Sequence, residues 1–112
     1  MLVNGIELKI NMMSASFTER YEKALLKMQE DAKALSAASL SESIRGQISC
    51  IKAFVDGVFG EGVYQSLKMD DDDLDVNLDL VESIVDETEI QKEKALHRFD
   101  KYSPNRSARR EK

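Results

Sequence analysis

The side chains of this chain best placed to do chemistry are carboxylates. Counted from Asp71, acids fall at the first, third, fifth, ninth and twelfth places of one window: Asp71, Asp73, Asp75, Asp79 and Glu82, with Leu78 at the eighth. An EF-hand loop ligates calcium from such places, because this hard cation collects oxygen ligands and the closing glutamate supplies two. The sixth place decides against it. A glycine is needed there for a sharp turn, and Val76 is β-branched, among the residue types least tolerant of positive φ. Between residues 66 and 90 ten carboxylates stand against Lys68 alone, so accidental matches to such a spacing are easily found. The preferred reading is an acidic helix start and no metal site, with calcium at 71–82 kept as the lesser alternative.

Nothing else in the chain assembles a catalytic set. His97 is the single histidine and has no cysteine, histidine or clustered carboxylate spaced to make a zinc site with it. No G-x-S-x-G is present, and Gly57, Gly60 and Gly62 lack the lysine and register of a phosphate-binding loop. Cys50, the one cysteine, lies near an apolar helix face and reads as a small buried hydrophobe. A non-enzymatic protein without a cofactor is therefore expected. The 21 acidic residues exceed the 16 basic ones, for a net charge of −5. That balance disfavours nucleic acid as a partner. No window approaches the roughly 20 apolar residues that span a bilayer, and the start MLVNGIELKI does not have the form of a signal peptide. A cytoplasmic protein is expected.

The elements that would carry these residues are helical. In Leu40–Phe59, Ile44, Ile48, Ile51, Val55 and Val58 recur at spacings of four and three, and Leu40, Phe54 and Phe59 widen that face. A helix so apolar must be covered by its neighbours. Ahead of it, the capping-box pattern Ser16-Phe17-Thr18-Glu19 opens an amphipathic helix that runs to about residue 37. Its face is Phe17, Tyr21, Ala24, Leu25, Met28, Ala32 and Leu35. A second box, Ser39-Leu40-Ser41-Glu42, opens the central helix, while the three later glycines end it. Val63–Met69 reads as one helical turn, and a last helix covers roughly Asp75–Tyr102 with Leu78, Val81, Ile84, Val85, Ala95 and Phe99 on its buried face. Asn4-Gly5 marks a tight turn in a short N-terminal β-hairpin or strand. The fold class is mainly α: three main helices in a single domain over 1–102, with 103–112 as a flexible basic tail.

The two ends carry a resemblance. The ending Lys101-Tyr102-Ser103-Pro104-Asn105-Arg106-Ser107-Ala108-Arg109-Arg110 is similar to the K-Y-x-P-N-R-x-x-R-R close of small proteins encoded among phage tail genes. So are Val3-Asn4-Gly5-Ile6-Glu7-Leu8 at the start, the F-x-x-R-Y-E-x-A segment Phe17–Ala24, and Val58-Phe59-Gly60-Glu61-Gly62 after the central helix. Together they resemble the tail assembly chaperones of long-tailed phages and prophages of Gram-positive bacteria. The resemblance implies a helical protein that coats the tape measure protein and recruits tail tube subunits, without catalytic residues. Candidate contacts are Tyr102, Arg106, Arg109 and Arg110, together with the exposed side of Phe17–Leu35, and self-association is expected. The alternative is a small acidic adaptor or regulatory domain, tuned by calcium at 71–82.

Overall fold

In the computed structural model, which describes residues 1–36 and 38–102, the chain is mainly helical behind a two-stranded antiparallel hairpin. Strands β1 (Leu2–Val3) and β2 (Ile6–Glu7) pair Leu2 with Glu7 and Val3 with Ile6. Asn4 and Gly5 both take positive φ, 48° and 82°, as the two-residue turn requires. The Asn4 amide also donates to the Leu67 carbonyl at 2.9 Å, so one residue both makes the turn and docks the hairpin on the helices. Leu8 follows into the core.

Helix α1 spans Ala15–Ala34 and α2 spans Leu40–Phe59. The cap of α1 differs from the expected one. Ser14, not Ser16, accepts from the Phe17 amide at 3.3 Å, so the helix opens two residues early. The second box works nearly as written. Ser39 Oγ accepts from Glu42 N at 3.2 Å, but the Glu42 carboxylate reaches past Ser39 to the Ala38 amide at 3.0 Å. Leu40, expected on the core face, is exposed, because the first turn of α2 stands clear of its neighbours. Ala32 and Leu35 at the far end of α1, also expected on the core face, are exposed as well, although Leu35 still reaches Gly46 of α2.

The two helices run antiparallel and touch through small residues. Gly57 was expected to help end α2, but it lies inside the helix, where an added Cβ would sit 3.2 Å from Ala24 Cβ. At Gly46 the same atom would meet only the side-chain tip of Leu35, at 2.9 Å. The two sites should therefore respond differently. In urea melts Gly46→Ala is expected to gain up to about 1 kcal/mol of helix propensity, since the Leu35 tip can swing toward solvent. Gly57→Ala should gain nothing, because the α1 backbone would have to retreat; an equal gain at both sites would refute the close approach.

Helix α3 (Val63–Ser66) is the expected single turn, and α4 covers Leu74–Tyr102. The core gathers Leu8, Phe17, Tyr21, Ile51, Phe54, Val55, Val58, Tyr64, Leu67, Leu80 and Ile84 from all of these elements. The buried stripe of α4 departs from the expected one. It runs Asn77, Leu80, Ile84, Thr88 and Ala95, while Leu78 and Phe99 are exposed. Two polar side chains take core positions because each finds partners there. Asn77 accepts from the Tyr64 hydroxyl at 2.5 Å and donates to the Asp70 and Asp73 carbonyls. The Thr88 and Tyr21 hydroxyls meet at 3.0 Å. No buried side-chain nitrogen or oxygen among the described residues lacks a partner, as a stable interior requires.

Candidate interaction surfaces

The acidic residues serve the start of a helix. Asp73 Oδ1 accepts from the Asp75 amide at 2.9 Å, capping α4, and Asp70 Oδ1 accepts from the Asp72 amide one turn earlier. Asp75, Asp79 and Glu82 are exposed on α4 itself, where negative charge near the N-terminus suits the macrodipole. With helix from Leu74 onward, the twelve-residue window cannot wrap around an ion as a loop. No group of three or more His, Cys, Asp or Glu among the described residues is placed to hold a metal. Residues 71–82 thus form a turn and the start of a helix, not a preformed ion-binding loop.

Tyr102 closes α4 with its ring exposed and the Lys101 ammonium 5.6 Å above it. The candidate contacts Arg106, Arg109 and Arg110 lie outside the described residues. Cys50 is buried against the α1 side of α2, and burial pushes its thiol above the usual range. Burial likewise raises the Tyr64 phenol, with the charge of Asp71 adding to the effect. On α1 a 2.7 Å hydrogen bond to Asp31 holds the Lys27 ammonium above its usual range.

Three of the sequence segments singled out above meet at one end of the molecule. Phe17 packs on Phe59 with ring centroids 6.1 Å apart. The Arg20 guanidinium lies 5.6 Å over the Phe17 ring, and its Nε donates to the Val58 carbonyl at 3.3 Å. Arg20 thus satisfies a carbonyl at the C-terminus of α2, where a cation is favoured. The turn after it is tied by Asp56, whose backbone carbonyl accepts from the Gly60 amide and whose carboxylate accepts from the Tyr64 amide. Strand β2 supplies the facing wall. Ile6, Lys9, Phe17, Arg20, Phe59 and Val63 line an open groove of about 350 Å³. Glu7 also lies in the lining, so apolar walls are joined by two cations and one carboxylate, a mixture that suits a protein segment with apolar and charged side chains.

Gln91 was missed by sequence reasoning. Its side-chain amide accepts from the Met12 N–H at 3.0 Å and donates to the Ile10 carbonyl at 2.8 Å, holding the segment before α1 against α4. The available signal was the recurrence of polar residues at 77, 88 and 91, in phase with the apolar stripe of α4. No helix of the structure is long and apolar enough to cross a membrane, among the described residues.

These features define a small helical protein with a docked N-terminal hairpin. The chain belongs to a family of unknown function, DUF6673, which matches residues 4–112. No curated protein and no solved structure matches it.

Proposed function

We propose that the protein is a tail assembly chaperone of phages or prophages of Gram-positive bacteria, acting in the host cytoplasm. In this reading it self-associates, binds the tape measure protein and helps tail tube subunits assemble around it. One observation carries the reading: Ile6, Phe17, Arg20 and Phe59, from three of the segments that bear the resemblance, line a single groove. Three of the four segments that bear the resemblance thus meet in one groove. The groove has the apolar and charged character that suits a helical partner segment.

Co-expression with the tape measure protein of the same gene cluster tests the proposal. The tape measure protein should become soluble and co-purify, and Ile6→Asp, at a partly exposed strand position, should reduce the co-purified fraction several-fold. A tape measure protein that stays insoluble beside the wild-type chain overturns the proposal.

A further inference from the structure

The last two turns of α4 carry apolar side chains that the body of the protein does not cover. Phe99 and Tyr102 follow Ala95 by four and seven residues, so they continue the buried stripe of the helix. Yet Phe99 is 56% exposed and Tyr102 is 73% exposed, with Leu96 open beside them. Residues 92–102 hold Lys92, Lys94, Arg98 and Lys101 against Glu93 and Asp100, a net charge of +2. This end of the helix is an apolar knob in a basic setting.

The other end of α4 is its opposite. Leu2, Val3, Met69 and Val76 line a groove of about 370 Å³ between the hairpin and the start of α4, with Asp70 and Asp79 in its lining. Leu2 at its mouth is 72% exposed. Residues 70–89, from the turn before α4 to about its midpoint, contain ten carboxylates and no lysine or arginine. The N-terminal ammonium of Met1, also in the lining, is paired with Glu7 at 3.1 Å. At 1.5 Å of rise per residue, Val76 and Phe99 are about 34 Å apart along the helix. No copy can place its own knob in its own groove.

We propose that copies of this chain associate head to tail, with the Phe99–Tyr102 end of α4 in one copy seated in the hairpin groove of the next. Opposite charge selects the second copy as occupant, and the apolar residues on both sides supply the contact. Because knob and groove are different surfaces, the contact is heterologous and propagates as a ring or an open chain. The inference deepens the self-association proposed above, but it does not depend on tape measure binding. Its test uses the purified full chain alone, so its failure is separate from failure of the chaperone reading.

Sedimentation across rising protein concentration gives the readout, with circular dichroism confirming that each variant is folded. The wild-type mass should climb beyond a dimer and fall back as salt is raised, since exposed charges are screened. Leu2→Lys and Phe99→Glu, both at exposed positions, should each leave the protein monomeric. An equimolar mixture of the two should form dimers and nothing larger, because only one intact knob and one intact groove remain. A wild-type mass that stays monomeric or stops at a dimer overturns the proposal. So does a mixture that stays monomeric, or a single variant that associates like the wild type.

Discussion

Phe54→Ala is expected to remove about 3–5 kcal/mol of stability, the largest loss from any single truncation considered. Phe54 is almost fully buried in the C-terminal third of α2, with its ring edge-on to Tyr21, centroids 6.1 Å apart. Its place in the core cluster joins α1 to α2 and lies beside the residues that receive α4. Truncation removes the transfer free energy of the ring and leaves a void that three helices would have to close together. Phe59 provides the comparison. It is only half-buried at the mouth of a groove, so Phe59→Ala should cost clearly less. Chemical denaturation of both variants with an unchanged slope would show the difference; equal losses would place the core elsewhere.

Asn77→Ala is expected to cost on the order of 3 kcal/mol, although it deletes few atoms. The amide is fully buried and serves three groups: the Tyr64 hydroxyl and the carbonyls of Asp70 and Asp73. Its removal strands a buried hydroxyl and loosens the turn that leads into α4. The double-mutant cycle with Tyr64→Phe separates these effects. If the shared hydrogen bond matters, the double variant should be less destabilised than the sum of the two singles. Strict additivity would mean that Asn77 acts only on the turn.

These two residues also mark what the sequence made legible and what it hid. Helix α2 could be read because its apolar residues keep helical spacing over twenty positions and most are buried. The hairpin could be read because Asn4-Gly5 favours one turn geometry. Helix α4 was located correctly, but its inward face was rotated. Leu78 and Phe99 carry the apolar signal, whereas Asn77 and Thr88 are buried through hydrogen-bond partners outside the helix. Thr88 lies 67 residues from Tyr21. The groove at Phe59 was hidden for a related reason. Arg20 reaches a backbone carbonyl, and a carbonyl leaves no mark in a sequence. The acidic run was legible as a helix start, and Asp73, which caps α4, also belongs to the calcium-like spacing, so one carboxylate pattern fits both readings.

The Gln91 clasp has a consequence for how freely the chain can change. Gln91 grips residues 10 and 12 by main-chain groups alone, one carbonyl and one N–H. Every amino acid supplies the carbonyl, and every one except proline supplies the N–H. As far as this clasp is concerned, the segment between hairpin and α1 can drift in side-chain identity without losing its attachment. The clasp itself forbids only proline at position 12 and loss of the Gln91 amide, while the packing of Leu8, Ile10 and Met12 on the core and the Ser14 cap set the remaining limits.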